Sequence, residues 1–433
     1  MLTIFVLALL SSVAGCLSVQ HIAFVGHWPC GDATSNARVI GRFRGNGTAL
    51  NSPIASAPVD VCVEDSTNIT SSPEVPVSCN GEKTLYLLDP RGFCAGVRRA
   101  IQTVEEAVRI FGPPIYVKHE IVHNEFVCNA LRVGPFLQFP HLLQKKGVVF
   151  IEDIETVPEG SVLILSAHGV PPSVREQAQK RNLVEIDASC PLVNKVHVYV
   201  KKKAEEGYKI VLIGHNNHVE TIGTKGEAPE VTKVVETVAD VDKLDYPPNT
   251  PLFYATQTTL SVDDCQMIKD RLIERFPWIE TIPSGSICYA TTNRQFAVRE
   301  ACKFADLVLI VGSMMSSNAN RLVDTAKIRN VRAYLVPNAV AITPELIGDA
   351  RRIALSASAS TPDDLTFEVA DKLGKPPFNF TINLYNACEE KVPKWRLPRN
   401  LETFIKEHDA KVEVDANTPN REPPVTPGEG KQQ

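Results

Sequence analysis

Three cysteines recur along the chain at nearly equal spacing, each where a strand-like run passes into a helical pattern. Cys94 lies in DPRGFCAG, Cys190 in IDASCPLV and Cys288 in SGSICYAT, so successive cysteines are 96 and 98 residues apart. Strand-like and helix-like runs alternate throughout this region, which is typical of βαβ units with parallel sheets. Ligands of such sheets bind beyond the carboxyl ends of the strands. We therefore predict an α/β fold with three pseudo-repeated units, each presenting one cysteine at a strand end.

Two further polar loops follow each cysteine at almost constant distance. The first comes 28 or 29 residues after the cysteine and the second 69 to 74 residues after it. In chain order these loops contain His123, His168, His218, Thr259, Ser316 and Ser360. Because the units share negligible sequence identity, this is a repeat of architecture only. Arranged around a pseudo-threefold axis, the units would form a trefoil with three thiols and six polar loops facing one central cavity.

Three convergent thiolates fit more than one chemistry. A zinc site usually adds a fourth ligand at short spacing, and none accompanies these cysteines. An iron–sulfur cluster takes thiolates from distant positions, and a [4Fe–4S] cluster held by only three leaves one iron open to polarise a substrate oxygen. Such a cluster would serve a reductive dehydratase or a redox-neutral hydro-lyase. A single cysteine of this kind is more often a small buried apolar residue, but the repeat favours ligands.

The polar loops suit a phosphate-bearing ligand. They offer imidazoles, hydroxyls and amides, often just before a helix, where backbone N–H groups favour oxyanions. His123 and His168 could donate to a diphosphate as charged imidazoles, or be hydrogen-bonded core histidines. Ser316, Ser317 and Asn318 could instead form an ordinary N-cap, since capping and phosphate binding use the same N–H groups.

Glu220 is the one carboxylate in the loop GHNNHVETIGT. Facing a bound substrate oxygen it could relay protons to a leaving hydroxide, whereas a solvated loop glutamate would have no such role. Thr258 and Thr259, in QTTLSVDD, could orient this acid or the substrate hydroxyl, or cap the helix that SVDDCQMIKDRL begins.

Composition argues against two other classes. The net charge of −5 and pI near 6.1 argue against a nucleic-acid binder. Eleven cysteines without any CxxC pair are a poor disulfide framework, which weakens the alternative of a secreted, disulfide-bonded binding protein. That alternative would be glycosylated at the sequons of Asn46, Asn68 and Asn379.

The N-terminal residues predict a targeting signal, and the C-terminal residues predict a disordered tail. Residues 1–17 contain the apolar run MLTIFVLALLSSVAGC, which is typical of a signal peptide, and residues 18–82 form a Ser/Thr/Asn/Pro/Gly-rich leader. Such a two-part address favours a complex, apicoplast-type plastid over plain secretion, with no stable membrane insertion after processing. Residues 409–433 are expected to be a disordered tail.

Nine motifs, in this order, resemble the 4-hydroxy-3-methylbut-2-enyl diphosphate reductase (LytB) family over almost the whole core. They are PRGFCAGV, VHN, SAHGV, DASCPLVNKVH, GHNNHVE, TQTTLSVDD, ICYATTNRQ, SSNANRL and ASASTPDD. The resemblance implies a trefoil around one [4Fe–4S] cluster with one open iron, held by Cys94, Cys190 and Cys288. The allylic diphosphate would be reduced to isopentenyl and dimethylallyl diphosphate with electrons from a ferredoxin-type donor.

The resemblance also implies roles for the polar residues. Glu220 would be the proton source, with His218 and Thr258 beside the substrate hydroxyl. The diphosphate would be held by His123, His168, Ser316, Ser317, Asn318 and Ser360. Domains are expected over 95–190, 191–288 and 83–94 with 289–372, with 373–408 as a C-terminal extension over the core.

Three departures from the family pattern are visible. Where relatives have His-Pro-Glu-Val, this chain has His218-Val219-Glu220-Thr221, so the turn around the acid could differ. Ser358 replaces a glycine and could crowd the phosphate loop. An apolar insertion at about 132–143 predicts either a partner surface or an error in the gene model, and we favour the latter.

Overall fold

A computed structural model describes residues 82–133 and 147–417. The expected signal peptide, the leader before residue 82, nearly all of the insertion and the end of the tail lie outside the described residues. No helix of the described ranges is long and apolar enough to cross a membrane.

Strands and helices alternate along the chain, as the sequence predicts. The strands are β1 Thr84–Asp89, β2 Ile115–Lys118, β3 Val148–Ile151, β4 Val162–Leu165, β5 Val184–Asp187, β6 Lys209–Ile213, β7 Thr232–Val235, β8 Leu252–Thr256, β9 Glu280–Thr281, β10 Leu307–Val311, β11 Arg332–Val336, β12 Arg352–Ala357 and β13 Thr381–Asn386. The helices are α1 Ala95–Phe111, α2 Glu125–Val133, α3 Pro172–Lys180, α4 Pro191–Glu205, α5 Val219–Gly226, α6 Val238–Asp242, α7 Val262–Arg275, α8 Tyr289–Ala301, α9 Ser317–Lys327, α10 Pro344–Ile347, α11 Asp363–Gly374 and α12 Arg399–Asn417. Short 3₁₀ turns occur at Ile154–Thr156 and Ala339–Ala341.

The strands form three parallel sheets, which confirms the predicted α/β class. Their orders are β11-β10-β12-β1-β13, β3-β2-β4-β5 and β7-β6-β8-β9. The first sheet combines the beginning and the end of the described chain, since β1 pairs with β12 through Thr84 and Arg352 and with β13 through Thr84 and Thr381. This pairing brings the loop after β1 beside the loops of the C-terminal strands.

Each sheet is covered by helices, so its central strands are apolar on both faces. In β10, LVLIV, all five side chains are buried. Leu307, Leu309 and Val311 belong to the apolar core on one face, and Val308 and Ile310 to the core on the other. This period of two is the pattern of a strand buried between two helical layers.

The C-terminal part differs from the expectation in one respect. Helix α12 runs to Asn417, so residues 409–417, which we expected to belong to a disordered tail, are helical. The helix is anchored on α1, because Leu401 is buried, Phe404 contacts Phe111 edge-on at 5.1 Å, and Asp409 pairs with Arg109 at 2.9 Å. Because residues 409–433 are mostly polar, the sequence alone did not predict that a helix packed on α1 extends into them.

Candidate active site

Each of the three predicted cysteines is the N-cap residue of a helix. Cys94 caps α1, Cys190 caps α4 and Cys288 caps α8. The sulfur atoms of Cys94 and Cys288 accept hydrogen bonds from backbone N–H groups of their own helices, at 3.5 and 3.3 Å. None of these helices has an acidic residue in its first turn. Three positive helix ends therefore surround the thiols, which favours negative charge there.

The backbone of each cysteine is fastened to a neighbouring polar loop of the same sheet. The N–H of Cys94 donates to the carbonyl of Ala359, that of Cys190 to Ala167 and that of Cys288 to Thr258, at 2.9 to 3.1 Å. The same bond thus occurs three times. Each cysteine is held beside the second kind of polar loop that the sequence repeat predicts.

All predicted site residues line one cavity of about 740 Å³, counted to its open mouth. The set comprises Cys94, His123, His168, Cys190, His218, Glu220, Thr258, Thr259, Cys288, Ser316, Ser317, Asn318 and Ser360. They come from all three sheets, at the carboxyl ends of nine strands. The structure therefore brings the candidates together, while their individual roles stay predictions.

The cysteine end of the cavity fits a group larger than a single ion. The three cysteines are free, and the pKa of Cys288 is raised to about 11 by burial and by nearby Cys94. Burial and the two other cysteines likewise raise the pKa of Cys190. Yet within the described ranges no three His, Cys, Asp or Glu side chains converge closely enough to hold one metal ion. Mutually close but separate thiols suit an iron–sulfur cluster, in which each binds a different metal atom.

A glycine permits the close approach of two cysteine loops. A Cβ atom on Gly96, in the first turn of α1, would lie 2.7 Å from the sulfur of Cys190. Any larger residue at position 96 would displace this sulfur. The Ala-Gly that follows Cys94 is therefore required by packing at the cysteine end.

Three histidines meet in the wall of the same cavity. The rings of His123 and His168 stack with centroids 4.1 Å apart, and His218 lies 5.5 Å from His123. Burial lowers the pKa of His123, and burial together with the neighbouring imidazoles lowers that of His168 well below its usual range. Of the two interpretations of His123 and His168, burial favours the uncharged imidazole. Repulsion from His119 adds to this effect at His123, and repulsion from His123 and His218 adds to it at His168.

Glu220 is buried, with 2% of its surface exposed. Its carboxylate accepts a hydrogen bond from the backbone N–H of Thr258 at 2.5 Å and another from the Thr258 hydroxyl at 3.2 Å. Burial raises the pKa of Glu220 to about 7, against the effect of these two bonds. A carboxyl group with this pKa can be protonated at neutral pH and then act as an acid. The interpretation as a solvated loop residue is wrong.

His218 is positioned as a hydrogen-bond donor next to this acid. It is the N-cap of α5, and its Nδ1 accepts from the backbone N–H of Glu220 at 3.2 Å. Burial lowers the pKa of His218 to about 3, so the ring is neutral and carries its proton on Nε2. Nε2 is buried and has no partner within the protein. It is available to a ligand.

Two hydroxyl residues connect loops from different sheets, and one amide residue connects two loops of the first sheet. Ser360 donates to the carbonyl of His123 at 3.1 Å, and Ser317 donates to the carbonyl of Thr259 at 3.1 Å. The amide oxygen of Asn318 accepts from the backbone N–H of Ala359 at 2.9 Å. These bonds hold the loops of the three sheets together around the cavity.

Two capping interpretations can now be decided. Ser316 is indeed the N-cap of α9, with its hydroxyl accepting from the backbone N–H of Ala319 at 3.3 Å. Thr258 and Thr259 do not cap α7, which is capped by Ser261. Thr258 is therefore free to bind Glu220.

The two substitutions in the family motifs are accommodated. The Ser358 hydroxyl lies 3.2 Å from that of Ser360 and 2.9 Å from that of Thr361, so it joins a hydrogen-bonded chain and does not crowd the loop. In the altered HVET sequence, α5 begins at Val219 and Glu220 remains in its first turn. The acid reaches the cavity without the proline.

Trp395 also lines the cavity, and the sequence analysis missed it. It belongs to residues 387–398, which connect β13 to α12 without regular secondary structure. No chemistry-bearing motif surrounds it. The only sequence feature that could have pointed to Trp395 is that tryptophan is rare in this chain, which has three.

Known proteins similar to this chain share both its sequence and its fold. The profile of the LytB protein family matches residues 85–374. A Plasmodium falciparum protein named 4-hydroxy-3-methylbut-2-enyl diphosphate reductase, apicoplast, is 54% identical over 327 residues, which cover 76% of this chain and 59% of that protein. A Chlamydia pneumoniae protein with the same enzyme name is 52% identical over 321 residues, covering 74% of this chain and 99% of its own length.

A solved structure is also similar to this chain in sequence and fold. The E-1-hydroxy-2-methyl-but-2-enyl-4-diphosphate reductase from Plasmodium falciparum superposes with a TM-score of 0.72 at 53% sequence identity, covering 76% of this chain and 99% of that one.

Proposed function

The chain belongs to the LytB family of 4-hydroxy-3-methylbut-2-enyl diphosphate reductases, the terminal enzymes of the non-mevalonate pathway, and we propose how its own residues perform that reaction. The observation that carries the proposal is one cavity lined together by three cysteine N-caps, a buried acid, and loops that bear histidine, hydroxyl and amide side chains. A diphosphate bearing an allylic hydroxyl has a charged and a reacting part, and this lining offers groups for both.

The family consists of iron–sulfur enzymes, and the cysteine end suits such a group. We assign Cys94, Cys190 and Cys288 as the three ligands of one [4Fe–4S] cluster, which leaves one iron without a protein ligand. When bound, the cluster supplies electrons and a Lewis-acidic iron for the substrate hydroxyl. The helix N-termini of α1, α4 and α8 would stabilise its negative charge.

The diphosphate would occupy the polar loops, held by His123, His168, Ser316, Ser317, Asn318 and Ser360. The hydroxyls and amides donate directly, and an anion beside the two histidines would favour their protonation and so reverse the effect of burial on their pKa. Loop residues that now bind one another's carbonyls would exchange some of these bonds for phosphate oxygens.

Glu220 would provide the proton for the leaving hydroxyl, assisted by Thr258 and His218. In the overall reaction the allylic C–O bond breaks, two electrons and two protons are taken up, and water and an isomeric pair of isoprenyl diphosphates are released. Glu220 delivers the proton that converts the leaving oxygen to water. Thr258 keeps the carboxyl group oriented, and the free Nε2–H of His218 would hold the substrate oxygen.

The electron donor and the compartment complete the proposal. A ferredoxin-type protein would supply electrons one at a time, in a complex, apicoplast-type plastid reached through the signal peptide and leader. The name of the Plasmodium falciparum relative, which includes the apicoplast, supports this compartment. Nucleic acid and membrane insertion have no part in the reaction.

One experiment tests the proposal. The protein is reconstituted without oxygen, its iron and acid-labile sulfide are measured, and the allylic diphosphate is then added with a reduced viologen dye as electron source. We expect about four iron and four sulfide per chain and formation of both isoprenyl diphosphates. Zinc in place of iron, or no metal with oxidised cysteines, would exclude the function. A cluster that dehydrates hydroxy acids without consuming electrons would favour the hydro-lyase alternative.

A further inference from the structure

The wall of the cavity nearest the thiols includes a segment outside the three α/β units. Residues 387–398, here called the strap, cross the cysteine end between β13 and α12. The strap contributes Trp395, which lines the cavity together with the three cysteines. Its ring lies 3.7 Å from the position of a Cβ on Gly96, itself next to the Cys190 sulfur. The indole is half-buried.

Arg294 fastens the strap to two of the cysteine loops. Its side chain is 1% exposed and pairs with Glu390 of the strap at 2.8 Å. The same guanidinium donates to the carbonyl of Gly92, before Cys94, at 2.8 Å, and to that of Ala290, after Cys288, at 3.1 Å. Burying an arginine is costly unless its donors are paired, and here they hold three separate chain segments.

Arg99 fastens the strap to the third cysteine loop. From α1, its Nε donates to the carbonyl of Arg396 in the strap at 2.7 Å. A terminal nitrogen donates to the carbonyl of Ser189, the residue before Cys190, at 3.0 Å. Two arginines thus connect one segment to the loops of all three cysteines. A segment needed only to link β13 to α12 would not require these bonds.

We propose that the strap is a functional wall of the active site. Trp395 closes the cysteine end of the cavity against water and small solutes, and Arg99 and Arg294 are positioning residues that hold the strap and the cysteine loops in one arrangement. The inference rests on the proposed function, because it assumes that an iron–sulfur cluster occupies this end. An apolar shell around a metal group controls its access to solvent, and the partners of its ligand loops govern how tightly it is retained.

The test measures the retention of iron by the full-length, cluster-loaded protein. Under anaerobic conditions, loaded protein is mixed with a coloured ferrous chelator and iron release is followed by absorbance. We expect Trp395→Ala to release iron at least about tenfold faster than the unaltered protein, and Trp395→Phe to restore slow release. Trp278→Ala is the matched control and should change nothing, since Trp278 lies on another surface, bonded to the Thr250 carbonyl.

Release at the unaltered rate from Trp395→Ala would overturn the inference. Failure of the unaltered protein to hold any iron would instead overturn the proposed function, so the two failures are distinguishable. A second measurement needs no change at Trp395. In a Trp28→Phe/Trp278→Phe variant, Trp395 is the only tryptophan of the chain, and cluster loading should strongly quench the tryptophan fluorescence. Unchanged emission would show that the indole does not lie against the cluster.

The positioning role is tested with Arg294→Lys, which keeps the charge but removes the fork of donors. We expect iron release to accelerate and the electron paramagnetic resonance signal of the reduced cluster to change, because two cysteine loops lose a shared anchor. A variant with lower thermal stability but unaltered release and spectrum would show a purely structural role and overturn this part of the inference.

Discussion

The two ends of the cavity are built differently. At the cysteine end, the loop of each cysteine is fixed by a backbone bond to a neighbouring loop. Arg294, which is buried, and Arg99, which is half-buried, tie these loops to the strap. At the polar end, side chains such as Ser360 and Ser317 bind carbonyl groups of facing loops. Under the proposed function, the fixed cysteine loops would suit a permanently bound group, and the hydrogen bonds among the polar loops are ones that a ligand could replace.

The largest effect is expected from substitution of the three cysteines, which tests whether the cysteine end holds a metal group. Cys94→Ser, Cys190→Ser and Cys288→Ser should each lose iron and activity together, activity by at least about a thousandfold, because the three thiols act as one unit. Cys302→Ser is the matched control, since Cys302 is at the end of α8 and does not line the cavity. Iron and sulfide analysis with the viologen assay measures both quantities. Full iron content in any of the three would remove that cysteine from the ligand set.

The next largest effect is expected at the acid between the two ends. Glu220→Gln should keep the cluster but lower kcat by about 10²- to 10⁴-fold, the usual contribution of a general acid. Glu205→Gln, at an exposed position of α4, should leave kcat unchanged. The assay compares kcat at equal iron content. A near-normal kcat for Glu220→Gln would show that the proton comes from elsewhere.

A smaller effect concerns the pH profile. Because the pKa of Glu220 is raised to about 7, its protonated form is present below this pH, and kcat should fall as the pH rises through it. The Thr258 hydroxyl stabilises the carboxylate, so Thr258→Val should raise this pKa further. The midpoint should move up by about half to one pH unit, since one hydrogen bond contributes about 1 kcal/mol. A downward shift would contradict the assignment.

The smallest effects are expected in the polar loops, whose hydrogen bonds a ligand could replace. Ser360→Ala should raise KM about five- to tenfold with little change in kcat or iron content, because it removes one donor to the diphosphate. Ser358→Gly is the control two residues away and should change KM less than about threefold, since its hydroxyl bonds only within the loop. Equal effects of both substitutions would indicate a general loosening of the loop and not a lost phosphate contact.

Much of this arrangement could be predicted because the site residues come shortly after strands in the sequence. The threefold spacing and the polar residues after apolar runs predict that the cysteines and six loops meet, and parallel sheets make them do so. The class of fold is confirmed in the same way. The division at residues 95–190, 191–288 and 83–94 with 289–372 stays a prediction. The second and third sheets lie within the first two ranges, but β13 of the first sheet lies in the segment 373–408, which we expected to be an extension over the core.

Other features depend on tertiary packing and left no local pattern. Trp395 lies in an irregular segment whose position is set by Arg294 and Arg99, far away in sequence. The neutral state of His168 follows from burial among other imidazoles, which a single-loop motif cannot reveal. Residues 409–417 continue the helix α12, whose earlier residues Leu401 and Phe404 pack against distant parts of the chain.

The position of β1 has a consequence for how the molecule is made. This strand is the first of the described chain, yet it is hydrogen-bonded between β12 and β13, which are among the last to leave the ribosome or an import channel. Pairing over such a sequence distance forms slowly, because the intervening chain must close first. The Cys94 loop thus reaches its final position only after the C-terminal strands have arrived. Under the proposed function, the metal group would therefore be inserted late, after the whole chain is present.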